Sequence, residues 1–261
     1  MTSLSICIIA YREKELLERA IRSAVFADEV LVVVDSEGDA ETEAVARKLG
    51  VKVVIHKYEG DIEQKSFAVS QACHEWVLSL DADEEVGVDL RGEIQNALEN
   101  QSDELSGFYI ERVTWHLGKW IRHGDFYPDH PIRLFRRSRT VMKGSNPHGR
   151  FSVDGEVGRL REPILHYSYR DLSDQVERVQ RFSDMARDSM IQKERNVYVS
   201  DLLVRPFLRF IRAYFLKQGF RDGFPGLIIA VVSSFHVFLK YAKLWESRPV
   251  SYTHLTLPTK A

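Results

Sequence analysis

The segment Glu29-Val30-Leu31-Val32-Val33-Val34-Asp35-Ser36 leaves a folding chain few options. Its apolar run has no polar alternation, so neither face suits water, and its β-branched side chains favour an extended backbone. A strand covered on both faces belongs inside a parallel sheet with helices on either side. The neighbouring sequence repeats the pattern. Leu4–Ala10 is an earlier apolar run, and helical spacing follows over residues 14–26. Gly38 and Asp39 lead into a helical pattern over residues 42–49, which Gly50 stops, and residues 51–56 read as a third strand. Alternating strands and helices account for about the first ninety residues and predict an α/β fold with a doubly wound, mostly parallel sheet.

A fourth strand ends differently. Trp76-Val77-Leu78-Ser79-Leu80 runs directly into Asp81-Ala82-Asp83-Glu84-Glu85. Carboxylates at the end of such a strand sit at the rim of the sheet, where open α/β folds bind ligands. Asp81 and Asp83, two apart on an extended segment, are expected to point the same way. Two hard oxygen ligands on one side suit Mg²⁺ or Mn²⁺, which take a few carboxylates together with substrate phosphates. An isolated Asp-x-Asp is more often a solvated acidic turn. The similar strand ending in Asp35 favours a site instead.

Three stretches together resemble family 2 glycosyltransferases of the GT-A fold. They are Ser5-Ile6-Cys7-Ile8-Ile9-Ala10-Tyr11-Arg12-Glu13, then Val33-Val34-Asp35-Ser36 with Asp39 and Thr42, then Leu80-Asp81-Ala82-Asp83. Arg133-Leu134-Phe135-Arg136-Arg137 and Ile164-Leu165-His166-Tyr167-Ser168-Tyr169 are similar to the bacterial lipopolysaccharide core glucosyltransferase-like branch. The resemblance spans residues 3–245. It implies an inverting transfer of a sugar from a nucleotide sugar, with a UDP-sugar favoured, to a lipopolysaccharide-core or other lipid-linked acceptor. A divalent cation, Mg²⁺ or Mn²⁺, would neutralise the diphosphate. A sugar nucleotidyltransferase would need a glycine-rich phosphate loop after the first strand, and Ala10-Tyr11-Arg12-Glu13 offers none. A scaffold that binds nucleotide or membrane without turnover is the non-enzymatic alternative.

The resemblance also assigns residues. Asp83 and His166 would hold the metal, with Asp81 nearer the ribose, and His166 is expected on a strand; a satisfied core histidine is the plainer alternative. Tyr11, Glu13 and Asp35 would recognise the base. A carboxylate at position 35 accepts from the N3–H of uracil, unless Asp35 is merely a helix cap. Lys65 opens a helix, where anions are favoured, and would reach a phosphate; a solvated lysine is the equal alternative. Arg133, Arg136, Arg137, Arg139 and Lys143 read as an alternating strand with one charged face. Arg133 is the one expected to contact phosphate, because a guanidinium matches phosphate oxygens in pairs; a solvated charged face is the plainer alternative. The general base is least defined. The related branch carries His-Glu where this chain has His148-Gly149, so Asp129 and His148 are the candidates.

At 261 residues and 44% hydrophobic, the chain can bury one α/β core plus an appendage. A net charge of −2 argues against a nucleic-acid partner. Cys7, on a strand, and Cys73, expected on a helix, offer neither a disulfide framework nor metal spacing, which suits a reducing cytoplasm. Because the sequence opens on the apolar run of the first strand, no cleavable leader is expected.

The expected organisation is a nucleotide-sugar-binding core over residues 1–125, an acceptor-side part over 126–170 and helices over 171–249. Residues 250–261 resemble the translation of a sequencing-library adapter and are expected to be non-native, with a natural polar tail as the alternative. Asp171 or Ser173 would cap a helix whose apolar face is Leu172, Val176, Val179, Phe182, Ala186 and Met190. Residues 201–249 carry eight positive and three negative side chains. Arg205, Arg209 and Arg212 form a basic stripe on an apolar helix over residues 202–216, with Pro206 expected in its first turn. The uncharged run over residues 227–239 is too short to span a bilayer, which takes about 20 residues. An interfacial attachment to the inner face of the cytoplasmic membrane is expected, with a helical hairpin packed on the core, or an oligomer contact, as the alternative.

Overall fold

A computed structural model describes residues 2–100, 102–144 and 149–247. His148, one of the two candidate bases, and the tail over residues 250–261 lie outside the described residues. The chain divides into two compact units. The first runs to Arg170, apart from His123–Asp125, which join the residues from Asp171 onward in the second.

In the first unit, β1 (Leu4–Ala10), α1 (Lys14–Ala24), β2 (Glu29–Asp35), α2 (Ala40–Lys48), β3 (Lys52–His56), α3 (Asp61–Ser70) and β4 (Trp76–Asp81) follow the expected alternation. The strands run parallel in the order β3-β2-β1-β4. Both faces of the sheet are covered, as the valine run requires. Ile6, Ile8, Val32, Leu78 and Leu80 pack in one core with Leu17, Ala20 and Ile21 of α1. Cys7, Leu31, Val33 and Val77 pack on the other side with Ala68 and Val69 of α3. Each large apolar side chain so buried contributes about 1.5–3 kcal/mol. Asp39 caps α2 by accepting from Thr42 N at 2.7 Å. Cys73 falls in the loop beyond α3 rather than in a helix.

Beyond Asp81 the chain turns at Ala82 and Asp83 and enters β5 (Glu84–Val86), which belongs to a different sheet. There follow α4 (Val88–Glu99), β6 (Leu105–Tyr109), β7 (Arg112–His116), β8 (Lys119–Ile121), β9 (Ile132–Arg136), β10 (Thr140–Lys143), β11 (Arg150–Val153), β12 (Glu156–Arg159) and β13 (Ile164–His166). The main sheet has the order β12-β6-β9-β4-β1-β2-β3, with β9 antiparallel to both β4 and β6. A second sheet, β5-β13-β7-β8, lies beside the end of β4, and β10 and β11 form a separate two-stranded ribbon.

Two expectations fail here for clear reasons. Asp81 and Asp83 do not lie together on an extended strand, because β4 ends at Asp81 and Asp83 sits in the turn before β5. The arginines from 133 to 139 do not line one charged strand face either, because β9 ends at Arg136 and Arg137–Arg139 form a 3-10 turn. Arg133 is 4% exposed, whereas Arg136 stacks on Trp76 and Arg139 donates to Ser106 Oγ at 3.0 Å.

The second unit contains α5 (Leu172–Gln192), α6 (Val199–Ile211), a π-helical turn (Arg212–Leu216) and α7 (Gly223–Glu246). Asp171 caps α5, accepting from Asp174 N at 2.8 Å. The expected apolar face of α5 is turned outward in part. Leu172, Val176 and Phe182 are exposed, while Asp174, Gln175 and Ser183 are buried. The polar side faces α7, where Lys243 Nζ bonds Gln180 O at 3.0 Å and Asp184 Oδ1 at 2.8 Å.

Pro206 lies in the interior of α6, not its first turn, because the helix starts earlier, at Val199, where Asp201 Oδ2 accepts from Tyr198 N at 3.1 Å. The basic stripe is also largely spent internally. Arg205 pairs with Asp201, and Arg209 with Asp125 at 2.8 Å. The short uncharged run is part of a 24-residue helix, long and apolar enough to cross a membrane by length and composition. The length argument against spanning therefore does not hold.

Candidate active site

Two side chains distant in sequence meet at the turn after β4. Tyr167 N donates to Asp83 O at 2.8 Å and pins the turn to the end of β13. His166, the last residue of β13, then brings Nε2 to 3.2 Å from Asp83 Oδ2. Its Nδ1 lies 3.4 Å from Thr114 Oγ1 on the neighbouring β7. A partner on one ring nitrogen fixes the imidazole's orientation and leaves the other for a ligand, the usual supporting arrangement around metal-binding histidines. The pair is a hard carboxylate oxygen and an imidazole nitrogen; the oxygen suits Mn²⁺ or Mg²⁺, and the nitrogen favours the transition metal of the two. Among the described residues there is no group of three or more His, Cys, Asp or Glu suited to a metal. A cation held by Asp83 and His166 would complete its shell with oxygens from water or a bound phosphate.

Beside this pair runs a chain of alternating charge. Lys65 Nζ lies 2.7 Å from Asp81 Oδ1. Arg133 Nη2 donates to Asp81 Oδ2 at 2.9 Å and to Glu84 Oε1 at 2.7 Å. Arg112 Nη1 reaches Glu84 Oε1 at 3.2 Å, and its Nη2 is 2.6 Å from Asp129 Oδ2. Three cations thus alternate with three anions. Burial pushes the Asp81 carboxyl upward, but Lys65, Arg133 and Arg112 outweigh it and hold it well below the usual carboxylate range. Burial likewise opposes charge on Arg133, and Glu84 and Asp81 overcome it, raising the guanidinium's pKa. Buried charges are tolerated only when paired in this way.

At the other end of the rim, β1 and β2 stop side by side, with Ala10 opposite Val34. Tyr11 follows β1, is 47% exposed, and carries the Arg12 guanidinium over its ring at 5.0 Å. Glu13 N donates to Thr42 Oγ1 at 3.2 Å. Asp35 is buried, and its Oδ1 accepts from Glu37 N at 3.1 Å and Tyr58 N at 3.2 Å. The cap of α2 is Asp39, so the capping alternative for Asp35 falls away.

The structure brings Asp81, Asp83, His166, Lys65, Arg133 and Asp129 into connected ion pairs or direct neighbourhood. Lys65 is not the solvated lysine of the plainer alternative, being only 17% exposed. Gly149 has a steric explanation, since a Cβ there would lie 2.3 Å from Ile62 Cγ1 and 2.9 Å from Met142 Cε. A glutamate at that position would require Ile62 to move. Sequence reading missed Arg112, Thr114 and the role of Glu84. Alternating polar positions 112, 114 and 116 were the available signal for a strand with one polar face. Arg133 inside an apolar strand was the signal that a buried carboxylate must answer it.

Comparison with known proteins places the chain in a family. The profile of the family described as Glycosyl transferase family 2 matches residues 5–164. An uncharacterized glycosyltransferase of Rickettsia bellii is 31% identical, over 93% of this chain and 86% of its own length. The lipopolysaccharide core biosynthesis glycosyltransferase LpsC of Rhizobium meliloti is 26% identical, over 93% of this chain and 92% of its own. Among solved structures, the mannosyltransferase PcManGT of Pyrobaculum calidifontis, in complex with GDP-Man and Mn²⁺, superposes with a TM-score of 0.51. That likeness covers 94% of this chain and 88% of the other at 12% identity, and it speaks to the fold.

Proposed function

The chain belongs to glycosyl transferase family 2 and is a glycosyltransferase, and from that premise we propose an inverting transfer from a UDP-sugar to a lipid-linked saccharide of the lipopolysaccharide-core type. The observation that carries the proposal is the convergence of Asp83 and His166. A divalent cation there would neutralise the diphosphate as it leaves. Lys65 and Arg133 both pair with Asp81, two residues before Asp83, and would supply positive charge for the same group, while Asp81 would serve the ribose. Tyr11 and Glu13 flank the base, and Asp35 receives its N–H. Both backbone bonds to Asp35 fall on Oδ1, which leaves Oδ2 for a single ring N–H. A single acceptor matches uracil better than guanine, which presents adjacent donors.

Of the two candidates, Asp129 and His148, we propose Asp129 as the base, because it is the one that lies among the described residues. Its side chain is 36% exposed and belongs to the same network, whereas Glu84 has no exposure and position 149 has no side chain. It would take the proton from the acceptor hydroxyl as that oxygen attacks the anomeric carbon.

A lipid-linked acceptor places the enzyme at the cytoplasmic membrane face, and the second unit supports attachment there. Phe215, Leu216, Phe220 and Phe224 are all exposed around the turn between α6 and α7. Exposed apolar patches of this kind mark interaction surfaces. Ser234 Oγ bonds Pro206 O at 2.7 Å and Lys243 bonds Asp184, so α7 is tied along α6 and α5. Those ties favour peripheral attachment over an independent crossing.

The test is release of UDP from a panel of nucleotide sugars, with and without lipopolysaccharide-core acceptors, in Mn²⁺ and in EDTA. Acceptor-dependent release from a UDP-sugar supports the reading. Nucleotide binding without release in any combination selects the non-catalytic scaffold, which Gly149 makes the second reading.

A further inference from the structure

Glu84 occupies a place that no binding or catalytic role explains. It is 0% exposed, so neither sugar nor nucleotide can touch it. Its carboxylate accepts from Arg133 Nη2 at 2.7 Å, Arg112 Nη1 at 3.2 Å and Asp81 N at 2.9 Å. We propose that Glu84 is a positioning residue that holds Arg133 on the donor side and Arg112 on the acceptor side, so that one buried anion fixes both Asp81 and Asp129. The proposal rests on the reading of Asp129 as the base.

The arrangement of Arg112 is the main support. Its Nε and Nη2 both address Asp129 Oδ2, at 2.9 and 2.6 Å, while Nη1 addresses Glu84. Its own backbone N donates to Asp129 O at 2.9 Å. Asp129 is therefore gripped through one side-chain oxygen and its carbonyl, which leaves Oδ1 to accept from a hydroxyl. Asp81 Oδ2 lies 4.0 Å from Arg112 Nη1, against 3.2 Å for Glu84. With Glu84 gone, Asp81 is the nearest anion to which that end of the guanidinium can swing, and the grip on Asp129 loosens. Packing alone does not call for a carboxylate here, since apolar residues fill a buried site at lower desolvation cost. What the carboxylate adds is direction for two planar guanidinium forks.

The test compares Glu84→Gln and Arg112→Lys with wild type by kcat, KM and UDP·Mn²⁺ affinity measured calorimetrically. Glu84→Gln removes the charge at constant shape, and Arg112→Lys keeps the charge but loses the fork. Both variants are expected to lower kcat about 10- to 100-fold, the scale for small misplacement of a reacting group. UDP affinity should hold or rise, because the donor side gains net positive charge in the first variant and is untouched in the second. A merely structural role lowers kcat and UDP affinity together, and that result would overturn the proposal. So would kcat within about twofold of wild type in both variants. If Glu84→Gln does not fold, Arg112→Lys decides alone by the same criteria. Asp129→Asn separates the two readings. Full activity in that variant refutes the base itself, whereas its loss alongside normal kcat in Glu84→Gln and Arg112→Lys refutes only the positioning role.

Discussion

Arg133→Met removes the cation at the middle of the charge chain while keeping the apolar stem. Arg133 is 4% exposed, and its guanidinium makes charge-assisted bonds to Asp81 and Glu84 at 2.9 and 2.7 Å. Two such bonds are each worth about 1.5–3 kcal/mol. Loss of one partner from a buried ion pair costs about 3–5 kcal/mol, because the other charge stays buried. Lys65 and Arg112 still face the two carboxylates, so the lower end, about 3 kcal/mol, is expected at pH 7. With a urea slope of about 2 kcal/mol/M, the unfolding midpoint should fall by roughly 1.5 M. Trp76, buried in β4 beside β9, makes intrinsic fluorescence a suitable probe. The pH dependence has a fixed sign. Asp81 has a folded pKa below its unfolded value, so its pairing stabilises the fold above about pH 3.9 and is lost as pH falls through the folded value. The gap between wild type and Arg133→Met should therefore be full at pH 7 and narrow below about pH 4. A midpoint shift under roughly 0.3 M, or a gap that widens on acidification, would refute the assignment of a buried, ionised network.

The same linkage applies to Glu29, which accepts from Ser5 Oγ at 2.6 Å, Cys73 N at 2.7 Å and Lys52 Nζ at 3.1 Å. Burial raises its pKa, but these bonds more than offset it and bring it down to about 2. Glu29→Gln should cost about 1–2 kcal/mol at pH 7 after solvent screening, with the loss shrinking between about pH 4.5 and pH 2 in urea melts. Asp129→Asn should abolish sugar transfer and leave UDP affinity within about twofold, as calorimetry beside a turnover assay would show; residual turnover above about a tenth would exclude it as base. Membrane attachment is best tested through the apolar tip, because Arg205 and Arg209 are engaged internally. Phe215→Ser with Phe224→Ser should remove up to about 2 kcal/mol per side chain and release the protein from floated anionic vesicles. Failure of wild type to float would reject the attachment.

The fold was legible where burial on both faces left a strong signature. The valine run of β2 and the apolar β1 and β4 specified parallel strands and their helices almost without tertiary information. The site was legible as a set of residue types and only partly as geometry. Asp81 and Asp83 read as one extended pair because spacing cannot reveal that a strand ends between them and enters another sheet. Arg133 was visible, but its burial came from β9 inserting between β4 and β6, a non-local pairing that no local pattern encodes. Arg112 and Glu84 depend on the same long-range assembly. In the second unit, α5 reverses the usual rule, because the small core of Val197, Tyr241 and Leu244 asks little apolar surface of it.

The central claim is that Asp83 and His166 make nucleotide binding depend on a divalent cation. Calorimetric titration of UDP into wild type, Asp83→Ala and His166→Ala, each in Mn²⁺ and again in EDTA, tests it most directly. Wild type should bind UDP about 100-fold more tightly with Mn²⁺ than in EDTA, a difference of about 2.7 kcal/mol. Both variants should bind equally weakly in the two conditions. Mn²⁺-independent UDP binding by wild type, or undiminished Mn²⁺ dependence in both variants, would contradict the account.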